Sequence, residues 1–145
     1  MNVTISEEPA LANIEVTIAC PRIDDRVKRI VASLSMFDRR ITGARDGTTF
    51  VVPLEEVLYV ETVDGPTFLY TCNAVLETPL RLYEVEDKLS GTEFVRTSKQ
   101  MLVNFDHVKA IRPFDNARMQ LLLDNGEAVI VSRQYAPTLK RKINL

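Results

Sequence analysis

The sequence has few of the residues that build metal, redox or nucleotide sites. Its 145 residues include one histidine, His107, and two cysteines, Cys20 and Cys72, without CxxC spacing. A single histidine cannot hold a metal ion alone, and the contexts of the two cysteines favour buried free thiols over a disulfide. No GxGxxG motif, Walker loop or cysteine–histidine cluster occurs. We therefore expect no metal and no cofactor.

Residues arranged for catalysis are scarce as well. Ser98 and Ser132 have no histidine beside them in the sequence, and no surrounding motif marks either as a nucleophile. The acids Glu55, Glu56 and Glu86 lie in amphipathic helical contexts, where solvated surface acids are the commoner explanation. The sequence predicts no catalytic site, and we expect that the protein is not an enzyme.

Long apolar runs are also absent. The longest are only a few residues, so no segment is predicted to span a bilayer, and the N-terminus lacks the basic-then-apolar layout of a signal peptide. With 46% hydrophobic and 26% charged residues, the composition is that of an ordinary globular domain. A chain of 145 residues can bury a core of its own. The expected compartment is the cytoplasm.

The net charge of −2 hides an asymmetry along the chain. Residues 1–93 carry nine Lys or Arg against sixteen Asp or Glu, a net of −7, while residues 94–145 carry nine against four, a net of +5. A basic segment on an otherwise acidic chain is a hint of a nucleic-acid surface. A helix with a solvated basic side would produce the same count.

The first forty residues have the pattern of a strand followed by a helix. Ile14, Val16 and Ile18 alternate with polar residues, as in a half-buried strand. Asp24 or Asp25 can then cap a helix. Its apolar positions at helical spacing are Val27, Ile30, Val31 and Leu34, followed by either Met36 or Phe37, and they predict the inward face. Its outer face carries Arg22, Arg26, Lys28 and Arg29, which predict a solvated surface or, as the alternative, a contact with DNA or a protein partner.

From Ile41 onward the sequence changes to short apolar runs separated by turn residues. The pairs Asp46-Gly47 and Asn125-Gly126 are strong hairpin signals, and helical spacing predicts short helices near Leu82 and Leu139. The predicted fold class is mainly β with short helices (α+β). Residues 1–40 are expected to form a strand-helix extension packed on a main body of residues 41–145, because about forty residues rarely fold alone.

Hydrogen-bond donors gather at three predicted strand-to-loop junctions. They are Thr67 after an Asp-Gly-Pro turn, the run from Arg96 to Gln100, and Ser132-Arg133-Gln134. The run from Arg96 to Gln100 contains no acid and lies between apolar residues, which predicts a presented loop. Arg and Lys can bind guanine or phosphate, and Ser, Thr and Gln can bond either kind of acceptor. These junctions predict loops that contact DNA, with ordinary exposed loop residues as the alternative.

Several segments, in this order, resemble the LytTR family of bacterial DNA-binding domains. They are Leu54–Glu61, Leu80–Leu89, the stretch Phe-Val-Arg-Thr-Ser-Lys-Gln-Met-Leu-Val-Asn at Phe94–Asn104, the turn Asp124–Glu127 and the segment Val131–Tyr135. The match runs from about residue 45 to about residue 143. Each piece alone is unremarkable, and the combination of FVR.S....VN, NG and VSR.Y makes the resemblance specific.

The resemblance implies an elongated, mainly antiparallel β fold whose loops enter successive major grooves of DNA. Carried over by position, the base-reading residues are Thr67, Lys99 and Arg133. Candidates for phosphate or supporting contacts are Arg96, Ser98, Gln100 and Gln134. Phe94 and Asn104 resemble structural parts of the motif. A threonine is short for a base reader, which weakens the expectation at Thr67.

Regulators of this family typically bind paired sites as dimers and act on transcription. The forty residues before the domain are too few for the phospho-receiver domain that many members carry. The chain instead resembles short stand-alone LytTR regulators, which are often encoded beside a small membrane protein. The resemblance thus implies double-stranded DNA with paired or direct-repeat sites, a homodimer on DNA and a small membrane-protein partner. The alternative function is a β-rich protein-interaction module whose basic helix, from Arg22 to Arg29, meets an acidic partner.

Overall fold

Two antiparallel sheets and three short helices make up the computed structural model, which describes residues 1–145. The helices are α1 (Asp25–Ser35), α2 (Leu82–Lys88) and α3 (Ala136–Lys142). The strands are β1 (Arg40–Arg45), β2 (Thr48–Pro53), β3 (Val57–Thr62), β4 (Thr67–Thr71), β5 (Val75–Thr78), β6 (Phe94–Ser98), β7 (Met101–Asn104), β8 (Val108–Phe114), β9 (Arg118–Leu123) and β10 (Ala128–Val131). The predicted fold class is confirmed. None of the helices has the length and apolar character needed to cross a membrane.

The strands form a seven-stranded sheet in the order β2-β1-β5-β4-β3-β7-β6 and a three-stranded sheet in the order β10-β9-β8. Both predicted hairpins are present, with Asp46-Gly47 between β1 and β2 and Asn125-Gly126 between β9 and β10. Gly47 and Gly126 have φ angles of 77° and 91°, which glycine adopts without a steric penalty. Local turn chemistry therefore accounts for both connections.

The seven-stranded sheet lies between two apolar cores. One core contains Val85 of α2, and the other contains Leu139 of α3 together with β9 and β10. Successive side chains of a strand point to opposite faces, so β7 sends Leu102 into the first core and Val103 into the second. Both cores therefore fix β7 in place, along with the turn that precedes it.

The predicted N-terminal strand is absent. Residues 14–20 form no strand and pair with no other segment, and Ile14 and Val16 are 94% and 62% exposed. Alternating apolar residues become a strand only where a neighbouring strand offers backbone partners and a core covers one face. Within this chain neither is supplied to the segment, so the extension consists of an unpaired segment followed by a helix.

Two local predictions also need correction. Cys20 and Cys72 are free, as predicted, but both are exposed instead of buried. The run Val108–Arg112 followed by Pro113 predicts a strand that ends before the proline, yet β8 continues to Phe114. Because β8 is an edge strand of the three-stranded sheet, the missing N–H of Pro113 has no second neighbour to bond.

Helix α1 begins where the sequence predicts, but the face that packs on the core differs from the predicted one. Asp24 caps it by accepting the N–H of Val27 at 3.1 Å. The side chains that the core covers are Ala32 and, just after the helix, Met36. Val31 and Leu34, predicted to face inward, are 40% and 36% exposed, while Val27 and Ile30 are half-buried. The predicted inward face is therefore wrong at Val31 and Leu34.

The cause lies in the contacts that α1 makes with α2. Arg29 pairs with Glu84 of α2 at 2.5 Å and donates to the carbonyl of Pro79 at 3.1 Å. The pKa of Glu84 is lowered because hydrogen bonds from Arg29 and from the Arg81 backbone, with the two positive charges, outweigh the opposing effect of burial. Arg29, predicted on the outer basic face, therefore anchors the inner face of the helix.

Candidate nucleic-acid interface

Three turns lie together at one end of the seven-stranded sheet. We call them the Asp64 turn (residues 63–66), the Lys99 turn (residues 98–100) and the Arg133 turn (residues 132–134). The N–H of Thr62 donates to the carbonyl of Gln100 at 2.9 Å, which brings the Asp64 turn beside the Lys99 turn. The N–H of Ser132 donates to the carbonyl of Thr97 at 2.8 Å, which brings in the Arg133 turn. The fold therefore gathers the three junctions that the sequence singled out.

The Lys99 turn and the Arg133 turn form one shallow polar depression. It is lined by Ser98, Lys99, Gln100, Ser132, Arg133 and Gln134, with no apolar and no acidic side chain. Lys99 and Arg133 are exposed, and neither forms an ion pair with an acid. Both charges are therefore available to an external anion. Cations beside amide and hydroxyl groups can bind phosphates and the edges of bases.

The presented loop is shorter than predicted. Strand β6 continues through Ser98 and β7 begins at Met101, so only Lys99 and Gln100 lie between the strands. Thr97 is fully buried. The hydroxyl of Ser98 accepts the N–H of Gln100 at 3.2 Å, which closes the turn. Lys99 and Gln100 are consequently the residues of this run that extend into solvent.

Arg96 holds the Lys99 turn from the side. Its Nε and Nη2 donate to the carbonyls of Ser98 and Lys99, each at 2.6 Å. Its Nη1 pairs with Glu86 of α2 at 2.8 Å, and its guanidinium lies 5.8 Å from the centre of the Tyr135 ring. The rigid fork of an arginine suits such simultaneous contacts. One guanidinium therefore links α2, the Lys99 turn and the residue that follows the Arg133 turn.

Thr67 does not reach the surface of this end. It is 2% exposed, and its hydroxyl is 3.1 Å from that of Thr62 on the neighbouring strand. The exposed part of the junction is the Asp64 turn, which carries an acid and no cation. Because an acid is repelled by phosphate, the expectation that Thr67 reads bases does not fit its position and needs correction.

Three residues at this end were missed by sequence reasoning. Glu86 and Tyr135 hold Arg96, and Tyr135 belongs to the VSR.Y motif, which could have marked it. Arg118 lies at the same end of the three-stranded sheet as Val131, because its neighbour Met119 pairs with Val131. Its guanidinium stacks at 4.9 Å on the ring of Phe114. No local pattern identifies Arg118, since its position depends on the register of β9 and β10.

His107 lies outside this interface and contacts two residues that are distant from it in the sequence. Its Nδ1 is 2.9 Å from Asp124 and its Nε2 is 2.5 Å from the carbonyl of Glu55. Burial lowers the pKa of His107, but the hydrogen bonds to Glu55 and Asp124 and the nearby carboxylates outweigh it, so the pKa lies above its ordinary value. No three His, Cys, Asp or Glu side chains lie close enough together to hold a metal ion.

Comparisons with known proteins agree with this geometry. Residues 47–144 match the family model described as the LytTr DNA-binding domain. One solved structure is the LytTr DNA-binding domain of a protein from Bacillus cereus described as a methyl-accepting/DNA response regulator. It is 29% identical in sequence and superposes with a TM-score of 0.71, covering 74% of this chain and 98% of that one.

Two curated relatives extend the comparison. The sensory transduction protein LytT of Bacillus cereus is 32% identical over 95 residues, covering 66% of this chain and 39% of the relative. The transcriptional regulatory protein LytR of Staphylococcus aureus is 26% identical over 139 residues, covering 95% of this chain and 56% of the relative. The chain thus spans 39% of the length of one relative and 56% of the other.

Proposed function

This chain belongs to the LytTr DNA-binding domain family, and from that premise we propose that it regulates transcription by binding double-stranded DNA through the Lys99 turn and the Arg133 turn. The observation that carries the proposal is the polar depression these turns share, with two exposed cations and no acid. The description of the Staphylococcus aureus relative as a transcriptional regulatory protein supports the regulatory role.

In this proposal the side chains of the depression divide between base and phosphate contacts. Arg133 pairs through its fork with the O6 and N7 atoms of a guanine, and Lys99 binds a guanine or a phosphate. The exposed amides of Gln100 and Gln134 have the donors and acceptors that adenine edges require. Phosphate contacts orient the domain, and base contacts in the major groove supply the sequence preference.

Other residues support this contact surface without belonging to it. Arg96 fixes the shape of the Lys99 turn through its bonds to two carbonyls of that turn. Thr67 has no part in base reading, since its hydroxyl is committed to Thr62. Two copies of the domain bind paired sites in this proposal, because a dimer places two reading surfaces at a fixed spacing along the duplex.

Binding to genomic DNA fragments at several salt concentrations tests the proposal. We expect Lys99→Ala and Arg133→Ala each to weaken binding about tenfold. Each variant that loses a phosphate contact should also lower the slope of log Kd against log salt by about one, since one fewer counterion is released. The readout is fluorescence anisotropy of a labelled fragment retained at low salt.

Lys109→Ala is the matched control for both variants. Lys109 is an exposed cation in β8. Its neighbours Val108 and Ala110 pair with Leu123 and Leu122, at the end of the three-stranded sheet opposite to Val131. We expect this substitution to leave affinity and salt slope unchanged. Equal losses at Lys109 and Arg133, or binding that does not respond to salt, would contradict the assignment.

A further inference from the structure

The N-terminal extension holds the main body through one arginine of α1. Arg29 pairs with Glu84 of α2 at 2.5 Å and donates to the carbonyl of Pro79 at 3.1 Å. These partners are 55 and 50 residues away in the sequence. Arg29 itself lies before residues 47–144, which match the family model. A residue outside the family domain is therefore fixed to a helix inside it.

Helix α2 is held by arginines on two sides. Glu84 contacts Arg29, and Glu86 of the same helix contacts Arg96 at 2.8 Å. Each residue of an α-helix turns by about 100°, so residues two apart point about 200° away from each other. Val85 lies between the two acids and is fully buried in the first core. The two acids therefore extend from opposite sides of α2, one toward α1 and the other toward Arg96.

The orientation of α2 bears on the Lys99 turn. The helix has only seven residues, which is too short to be stable alone, so its position depends on its core contacts and on the two arginine pairs. A displacement of α2 moves the carboxylate of Glu86, and Arg96 then follows it or loses this partner. The other donors of Arg96 bond the carbonyls of Ser98 and Lys99, each at 2.6 Å. The shape of the turn is therefore linked to α1 by a continuous set of contacts.

We propose that Arg29 is a positioning residue for DNA binding, which acts on the Lys99 turn through the two acids of α2 and through Arg96. Arg29 makes no DNA contact in this proposal, because its two Nη groups are committed to Glu84 and to the carbonyl of Pro79. The inference rests on the proposed function, which assigns a DNA contact to the Lys99 turn. It gives the N-terminal extension a role in shaping the surface that reads DNA.

Amide chemical shifts of the free, full chain test the link without DNA. In Arg29→Met we expect the 1H–15N signals of Lys99 and Gln100 to shift, since methionine keeps the apolar stem but has no donor and no charge. Glu84→Gln should shift the same two signals. Glutamine keeps an oxygen that can accept the N–H of Arg81, as Glu84 does at 3.1 Å, so the start of α2 is retained. Circular dichroism verifies that both variants are folded.

Arg39→Met is the matched control. Arg39 also belongs to the N-terminal extension and pairs with an acid of the main body, Glu93, at 2.6 Å. The two side chains are 54% and 19% exposed, against 40% and 20% for Arg29 and Glu84. Glu93 directly precedes β6, whose other end leads into the Lys99 turn. The control therefore removes the same charge and the same kind of ion pair, and it should leave the signals of the Lys99 turn in place.

Fluorescence anisotropy with a genomic fragment that the wild type retains at low salt measures the effect on binding. We expect Arg29→Met to weaken binding about threefold with an unchanged salt slope, and Arg39→Met to bind as the wild type does. If Arg29 acts through Arg96, its replacement has no further effect once Arg96 is replaced. Adding Arg29→Met to Arg96→Lys should therefore leave the affinity of Arg96→Lys unchanged.

Three outcomes would overturn the proposal. The first is that the signals of Lys99 and Gln100 stay in place in both Arg29→Met and Glu84→Gln. The second is that Arg39→Met shifts them as much as Arg29→Met does. The third is that the losses of affinity in Arg29→Met and Arg96→Lys add in the double variant. A wild type that binds no fragment, while the two variants still shift the turn signals, would instead contradict the proposed function and support the link from α1 to the Lys99 turn.

Discussion

Arg96 and Arg133 lie near the same depression, but their surroundings give them different roles. The side chain of Arg96 is 16% exposed, and its guanidinium bonds two carbonyls and a carboxylate. Arg133 is exposed and free of acids. A guanidinium whose donors are already committed shapes a surface, whereas an uncommitted one can bind a ligand. The two arginines should therefore respond differently to substitution.

The substitution Arg96→Lys separates positioning from direct contact. Lysine keeps the charge but cannot bond both carbonyls and Glu86 at once, so we expect DNA affinity to fall about fivefold with an unchanged salt slope. Hydrogen bonds from charged groups also contribute about 1.5–3 kcal/mol each, so the variant should unfold at lower urea concentration. Arg133→Ala, the comparison, should lose DNA affinity about tenfold, as expected above for a lost guanine contact, and leave the urea midpoint unchanged. A lower urea midpoint in Arg133→Ala, with an unchanged midpoint in Arg96→Lys, would contradict these two roles.

The contacts of His107 predict a pH dependence of stability. The folded-state pKa lies above the ordinary value of 6.5, so the folded chain binds this proton more tightly than the unfolded chain does. The resulting stabilisation is complete below the ordinary pKa and is lost as the pH rises through the raised pKa. We expect the free energy of unfolding to decrease as the pH rises above 6.5 and through the raised pKa.

Urea unfolding across this range measures the effect, with His107→Gln as the control. Glutamine retains a donor for the carbonyl of Glu55 but has no titrating proton. Its stability should not change over the interval in which the wild type loses stability. A wild type that becomes more stable as the pH rises would contradict the assignment of the proton to His107.

Side-chain exposure explains which site residues could be predicted from sequence. Lys99 and Arg133 are polar residues in turns, and turns lie at the surface, so a local pattern was sufficient to predict their exposure. Thr67 occupies the first position of β4, where the alternation of the strand decides between surface and interior. A shift of one residue would have exposed it. Its burial therefore depends on pairing with Thr62, which sequence spacing does not report.

Among the structural elements, those formed by local interactions agreed with prediction. Asn125-Gly126 specifies its hairpin through backbone conformation alone. The segment with Ile14 and Val16 depended on a partner strand, and the chain provides none. The rotation of α1 followed from Arg29, whose partner Glu84 is 55 residues away in the sequence. Such distant partners cannot be read from helical periodicity.

Asn104 links two separate elements of the fold, and its substitution tests that link. It is fully buried, and its amide donates to the carbonyls of Leu54 and Val57 at 3.3 and 3.0 Å while its oxygen accepts the N–H of Asp106 at 3.1 Å. It therefore ties the turn before β3 to the end of β7. Asn104→Ala leaves these groups without their partners and should reduce stability by about 2–4 kcal/mol.

Urea denaturation of Asn104→Ala and Asn73→Ala provides the comparison. Asn73 is exposed and contacts Thr71 within its own turn, so its substitution should cost less than about 1 kcal/mol. Similar losses in the two variants would show that Asn104 is not a tie between separate elements. This structural role agrees with the one that the family motif implied for Asn104.

The central feature of the whole molecule is that the Lys99 turn and the Arg133 turn meet at one end of the seven-stranded sheet. The Lys99 turn and the Arg133 turn are more than thirty residues apart in the sequence. A backbone hydrogen bond from Ser132 to Thr97 and the contact of Arg96 with the Tyr135 ring hold them together. The donor pattern marked both turns separately, and only the family resemblance implied that they face the same DNA. Both apolar cores fix β7 and the second core fixes β10, and the depression is a consequence of where those strands begin and end.

The most direct test of this account is selection of DNA sequences from a random library by the purified full chain. We predict enrichment of a motif that contains guanine, and we predict that Arg133→Ala loses the preference for guanine at its own position while keeping the rest of the motif, whereas Lys99→Ala lowers the affinity. Lys109→Ala should enrich the same motif as the wild type. No enriched motif from the wild type, or the same motif from Arg133→Ala and the wild type, would contradict the claim that these two turns read DNA.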